Sequence, residues 1–117
     1  MKTYDELLSE TKARIREIDV KDARALRDSS SDAVFVDIRE PQEYNLGKIP
    51  GAVTQSRGNL ESKIEGLVER ERTIVLYCAN GNRSAFGAEV LGIMGYTDVR
   101  SLRGGFNAWI AEGGDVE

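Results

Sequence analysis

Apolar residues along the chain fall into short unbroken runs separated by stretches in which they recur at helical spacing, and the two kinds of segment alternate. Ala33-Val34-Phe35-Val36 and Thr73-Ile74-Val75-Leu76-Tyr77 are too short for helices, rich in β-branched and aromatic side chains, and bounded by turn residues. They read as strands buried on both faces, the signature of a parallel sheet. Ile15-Arg16-Glu17-Ile18 alternates like a short edge strand, Val53 begins another after the Gly47–Gly51 loop, and Val99–Leu102 is a last short one.

The intervening segments predict helices. Residues 4–15 carry Leu7, Leu8, Ala13 and Ile15 on a narrow stripe, with Glu10 four residues before Arg14, which describes a surface helix laid against the domain. Asp19 is placed to cap a helix through Val20, Ala23 and Leu26, and the polar run Asp28–Asp32 breaks it. Pro41 opens a short helix, with Arg39 and Glu43 spaced for an ion pair. Asn59 is placed to cap a helix over residues 60–68 that turns Leu60, Ile64, Leu67 and Val68 inward.

Residues 84–94 contain a single charge, Glu89, and predict a helix buried over most of its circumference, with Gly87 and Gly92 permitting close approach to the sheet. Gly95 is a candidate terminator, Gly104-Gly105 a turn, and residues 106–111 a final helix with Trp109 in the core. Strand and helix in alternation give an α/β fold: a mostly parallel central sheet flanked by helices on both faces. We read residues 1–15 as an N-terminal helix packed on one domain of residues 16–117.

Composition narrows the chemistry. A chain of 117 residues is the size of one domain, and its net charge of −4, with both signs interspersed, offers no basic surface for nucleic acid. The charged N-terminus lacks a secretory signal and no apolar run is long enough for a bilayer, so a cytoplasmic location is expected and no membrane partner. There is one cysteine, Cys78, and no histidine. That excludes an internal disulfide, a Cys/His zinc site, and any nucleophile activated by a histidine base; neither a metal nor a cofactor is expected.

Cys78 stands directly after the apolar run 73–77 and before the helix predicted from Ser84, in Tyr77-Cys78-Ala79-Asn80-Gly81-Asn82-Arg83-Ser84. A free thiol titrates near pH ~8.5 unless its surroundings favour the anion. The means available are backbone amides converging in a tight turn around Gly81, the positive end of the following helix, and the Arg83 guanidinium. Such a nest holds a thiolate, a persulfide anion or a substrate oxyanion alike. Asp37, at the end of another strand, fits a buried carboxylate that braces the loop through amides or Arg39. Arg57 is a candidate for the mouth of the site.

Four stretches together resemble the rhodanese (sulfurtransferase) homology domain, specifically its small single-domain members: Val36–Tyr44, Gly47–Ala52, Tyr77–Ser84 and Leu102–Trp109. The resemblance implies a three-layer α/β fold in which Cys78 takes a sulfane sulfur from a donor such as thiosulfate or a small persulfide. The sulfur would then pass to cyanide, a thiol or an acceptor protein. It also implies that the loop from Cys78 to Arg83 wraps the persulfide with its amides. The candidate loop and substrate-binding residues are thus Ala79, Asn80, Gly81, Asn82, Arg83 and Ser84, and we read Asp37, Arg39 and Arg57 as supporting them. Four residues separate Cys78 from Arg83; related phosphatases and arsenate reductases on this fold have five, in a wider loop. Lys48 stands where many members have histidine, Ser56 where many have proline, and Asn80 where thiosulfate-using members carry a cation. A non-catalytic binding module is the remaining alternative, and it would be expected to lack the cysteine.

Overall fold

Strand β4 (Thr73–Tyr77) is the middle of a five-stranded parallel sheet of order β1-β5-β4-β2-β3 in the computed structural model, which describes residues 1–29 and 32–117. Its partners are β2 (Val34–Asp37) and β5 (Asp98–Leu102); β1 (Arg16–Ile18) and β3 (Val53–Thr54) form the edges. Side chains of β4 alternate between the two faces, as strand geometry requires. Ile74 and Leu76, continued by Cys78, point into one core with Val36, Ile38, Leu60, Ile64, Ala88 and Leu91. Val75 and Tyr77 point into the other, with Phe35, Val20, Ala23, Ile49, Leu102 and Trp109.

The first core is covered by α5 (Asn82–Ile93) and by the short helix α4 (Leu60–Lys63). The second is covered by α2 (Val20–Asp28) and α6 (Gly105–Ala111). Helices therefore lie on both faces of a parallel sheet, as the alternation of segments predicts. α1 (Tyr4–Arg14) lies outside α5, where Tyr4 meets the Phe86 ring and Arg14 pairs with Glu89. No helix among the described residues is long and apolar enough to cross a membrane.

Local chemistry sets the helix starts. Thr3 and Glu6 form a reciprocal capping box on α1, and the Asp19 carboxylate accepts from the Asp22 amide at the start of α2. Pro41 opens the single turn of α3 (Pro41–Tyr44). The polar break predicted over Asp28–Asp32 includes Ser30 and Ser31, which lie outside the described residues.

Several expectations are corrected by tertiary packing. The helix predicted over 60–68 is one α-turn followed by a 3-10 turn at Ile64–Gly66, Asn59 provides no side-chain cap, and Leu67 is exposed. On α1, Ala13 is exposed and the fully buried residue is Thr11. Arg14 reaches across to Glu89 instead of back to Glu10, which pairs with Lys2. Gly92 and Ile93 sit on the solvent side of α5, so of its two glycines Gly87 alone packs against the sheet.

Candidate active site

Parallel strands deliver their C-terminal ends, and the loops that follow, to one edge of the sheet. Cys78 is the first residue past β4, fully buried, and the chain turns at once through Ala79, Asn80 and Gly81 into α5. The turn depends on Gly81, whose φ of +92° is a conformation other side chains resist. A Cβ there would also lie 3.1 Å from both the Gly104 nitrogen and the Leu102 carbonyl. The Asn80 carboxamide closes the turn by accepting from the Asn82 amide at 3.0 Å.

The result is a set of donors aimed at sulfur. The amides of Gly81 and Ser84 donate to Cys78 Sγ at 3.2 and 3.4 Å, and Ser84 Oγ lies 3.6 Å from it. The loop carbonyls are drawn the other way: Phe106 N donates to the Cys78 carbonyl at 2.8 Å and Asn107 N to that of Ala79 at 3.0 Å. Here the free amides at the start of α6 serve as partners for the Cys78 loop. Gly105 makes this contact possible, because a Cβ on it would stand 2.4 Å from the Cys78 carbonyl oxygen. With carbonyls turned out and amides turned in, the loop presents positive potential to whatever charge the sulfur carries.

Beneath the loop is an ion pair. Asp37, fully buried at the end of β2, accepts from Arg39 Nε at 3.1 Å and Nη2 at 2.8 Å, and from the Arg39 amide at 2.9 Å. Arg39 Nη2 also donates to the Gly47 carbonyl at 2.6 Å, and its guanidinium lies 4.1 Å from the Phe106 ring centroid. Burial opposes the Arg39 charge, but the hydrogen bonds and charge of Asp37 outweigh it and hold its pKa above the usual arginine value. Tyr77, stacked on Phe106, receives the Ile49 amide on its hydroxyl, and burial followed by the Asp37 charge pushes the phenol well above its ordinary range. Asp37 is thus partnered by Arg39, as one expectation had it, and the predicted Arg39–Glu43 pair is replaced by this shorter-range one.

The sequence-derived candidates do not all converge on the sulfur. Gly81 and Ser84 touch it, Asn80 Oδ1 lies 3.9 Å away, and Ala79 and Asn82 shape the turn. Arg83 faces outward from the first turn of α5, about half exposed, 3.7 Å from Glu43 and 4.0 Å from Glu40. Arg57 donates to Glu61 at 2.7 Å, and its amide donates to the Ile38 carbonyl. Ser101 on β5, 2.7 Å from Ser84 Oγ, escaped the sequence reading: a serine in a strand carries no local signal of what lies across the sheet.

Comparison with known proteins supplies the context for this geometry. The family model for the rhodanese-like domain matches residues 19–112. A thiosulfate sulfurtransferase GlpE of Pseudomonas fluorescens is 35% identical over 97 residues, covering 83% of this chain and 86% of the relative. GlpE of Pseudoalteromonas translucida is 38% identical over 82 residues, covering 68% and 75%. Among solved structures, a Rhodopseudomonas palustris protein of unknown function, named a possible tyrosine phosphatase, superposes with a TM-score of 0.90 at 38% identity. That match covers 100% of this chain and 96% of the other. A thiosulfate sulfurtransferase from Pseudomonas aeruginosa gives a TM-score of 0.83 at 26% identity over 92% of this chain and 21% of that one.

Proposed function

The chain belongs to the rhodanese-like domain family, and from that premise we propose that it is a sulfurtransferase working through a persulfide on Cys78. The observation that carries the reading is the convergence of the Gly81 and Ser84 amides on a buried sulfur, with Ser84 Oγ beside them. Donors of this kind stabilise negative charge on sulfur without a base, which a chain lacking histidine requires.

In the first half-reaction the Cys78 thiolate attacks the outer sulfur of a donor such as thiosulfate. A new S–S bond forms to Cys78, the donor's own S–S bond breaks, and sulfite leaves with the electron pair. The persulfide's terminal sulfur then carries the negative charge, and the loop amides are its nearest donors. In the second half-reaction a nucleophile, cyanide or a thiolate, attacks that terminal sulfur and the Cys78 thiolate leaves. The products are thiocyanate or a new persulfide on the acceptor, a small thiol or a protein cysteine. Because the chain has no second cysteine, an internal disulfide cannot intercept the intermediate, and sulfur leaves only to an external acceptor.

Asp37, Arg39, Phe106 and Tyr77 support the loop from below, while Arg83 and Arg57 stand at its margin as sites of attraction for an anionic donor. For Arg83 this role requires the guanidinium to leave Glu40 and Glu43, contacts of 4.0 and 3.7 Å that are weak at this exposure. A phosphatase reading draws on the name given to the Rhodopseudomonas neighbour. The four-residue gap between Cys78 and Arg83 opposes it, being one residue shorter than the loop that encloses phosphate.

Intact-mass measurement after exposure to thiosulfate tests the proposal. The expected result is a gain of one sulfur atom that cyanide removes as thiocyanate and that Cys78→Ser abolishes. Thiocyanate production surviving in Cys78→Ser, or turnover of an aryl phosphate with no sulfur gain, would overturn it.

A further inference from the structure

Ser101 occupies a position where packing alone calls for an apolar side chain. It is fully buried on β5, in register with Leu76 of β4, and it projects from the same face as Val99 into the core that holds Cys78, Ile74 and Leu76. A buried hydroxyl is costly unless it is hydrogen-bonded. The partner of Ser101 Oγ is Ser84 Oγ, 2.7 Å away and likewise fully buried, and Ser84 Oγ in turn lies 3.6 Å from Cys78 Sγ.

Counting hydrogens gives this string a direction. Each serine has one hydrogen to donate. If Ser84 donated to Ser101, the Ser101 hydrogen would face an apolar core, with no further acceptor among the described residues. If Ser101 donates to Ser84, both hydrogens are used once the sulfur is a thiolate: a neutral Cys78 thiol donates to Ser84 Oγ, whereas a charged sulfur accepts the Ser84 hydrogen instead. Hydrogen bonds in such a chain polarise one another, so the Ser101 bond strengthens the one Ser84 delivers.

Resting on the reading of Cys78 as the sulfur-carrying nucleophile, we propose that Ser101 is a positioning residue for it. Its hydroxyl, acting through Ser84, fixes a third donor on the sulfur beside the two loop amides. No proton is transferred and no bond to sulfur changes; the string favours a charged sulfur over a neutral one. The charged groups around this end of the sheet are Arg83 with Glu40 and Glu43, Arg57 with Glu61, and the buried Asp37–Arg39 pair. Among the described residues none of them hydrogen-bonds the sulfur.

The test is the pH profile of Cys78 alkylation by iodoacetamide, which needs no sulfur donor. Ser84→Ala is expected to move the midpoint to higher pH by about one unit, and Ser101→Ala by about half a unit. Ser101→Val and Ser101→Thr have the same shape, so a packing role moves both alike, whereas the string predicts that Val shifts the profile and Thr restores it. In a Ser84→Ala background the Ser101 substitutions are expected to have no further effect. Superimposable Val and Thr profiles, or a Ser101→Ala shift that persists without the Ser84 hydroxyl, would overturn the proposal. A shifted profile in a protein that gains no sulfur from thiosulfate would leave the string standing and remove the sulfurtransferase reading. Sulfur gain with unmoved profiles would do the reverse.

Discussion

Arg39 is the residue on which the floor of the site depends. Its guanidinium holds Asp37 and the Gly47 carbonyl at once and lies against Phe106, whose amide in turn binds the Cys78 carbonyl. Both members of the pair are almost wholly buried, so the consequence of cutting one away is set by what is left behind. Arg39→Met keeps much of the apolar stem but strands the Asp37 carboxylate without its cation. We expect a loss of about 3–5 kcal/mol in urea-unfolding free energy, the range for an uncompensated buried charge. Asp37→Asn introduced beside Arg39→Met removes that charge, so the double variant is expected to be more stable than Arg39→Met alone. If the two losses instead add, the pair acts through shape and not charge. Sequence reading offered Arg39 as a partner for a buried Asp37, and the structure bonds the two, because an acid buried at the end of an apolar strand needs a donor close by. It assigned Glu43 to Arg39 on helical spacing, and that fails because Arg39 precedes the helix and turns back toward the strand it has just left.

At the scale of elements, α5 shows how one residue type plays opposite parts on two sides of a helix. A Cβ on Gly87 would stand 2.8 Å from Leu76 Cδ2 and 3.3 Å from Leu60 Cδ2, whereas one on Gly92 meets nothing within 4 Å. Alanine gains on the order of 1 kcal/mol of helix propensity over glycine at either site. At Gly92 nothing opposes that gain, and Gly92→Ala is expected to raise the unfolding free energy by roughly 0.5–1 kcal/mol. At Gly87 the overpacking cost of about 1–3 kcal/mol exceeds it, so Gly87→Ala is expected to destabilise. Paired urea titrations decide the matter, and a Gly87→Ala protein as stable as Gly92→Ala would show that the helix can lift off the sheet at no cost. Thr11 makes a related case on α1: its buried hydroxyl has no hydrogen-bond partner among the described residues. Thr11→Val, of the same shape, is expected to stabilise by about 1 kcal/mol, read from the same unfolding curves. Periodicity located α5, β4 and β2 well because each is strongly apolar and bounded by turn residues. It could not tell which glycine faces the sheet, nor that the segment 60–68 would tighten after one turn, since both depend on neighbours distant in sequence.

Over the whole molecule, the Cys78 loop and a charged staple lie at opposite ends of one sheet. The Cys78 loop stands at the C-terminal edge of the parallel strands, while Asp98, at the start of β5, accepts hydrogen bonds from Arg16 of β1, Thr73 of β4 and Arg100 of its own strand. Alternation of segments made the parallel sheet legible, and with it the edge where a site belongs. The strand order was not, because register between segments distant in the chain leaves no local mark, and for that reason Ser101 beside Ser84, 17 residues apart, and Arg16 beside Asp98, 82 apart, were invisible. Asp98 ties the edge strand β1 to the middle of the sheet, and its charge is what does so: the hydrogen bond from Arg100, then that from Thr73, then the charges of Arg100 and Arg16 lower its pKa against the opposing effect of burial. A carboxylate whose pKa is lower folded than unfolded contributes stability that is complete above the unfolded value, near pH ~4, and is lost as pH falls through the folded one. Asp98→Asn is therefore expected to be less stable than the parent at pH 7 by about 1 kcal/mol, a figure kept small by partial exposure. The difference should narrow as pH falls below about 4, where Asp98 of the unfolded chain takes up a proton that the folded carboxylate still refuses, and close as pH passes the lower folded value. Urea titrations of both proteins at pH 7, 5 and 3 check the sign. A gap unchanged at pH 3 would assign the staple to shape and neutral hydrogen bonds instead of charge. Since among the described residues the partners of Asp98, namely Arg16, Thr73 and Arg100, are none of those that hydrogen-bond Cys78 Sγ, the alkylation profile of Asp98→Asn at pH values where it stays folded should overlay that of the parent, separating the stability of this fold from the surroundings of its sulfur.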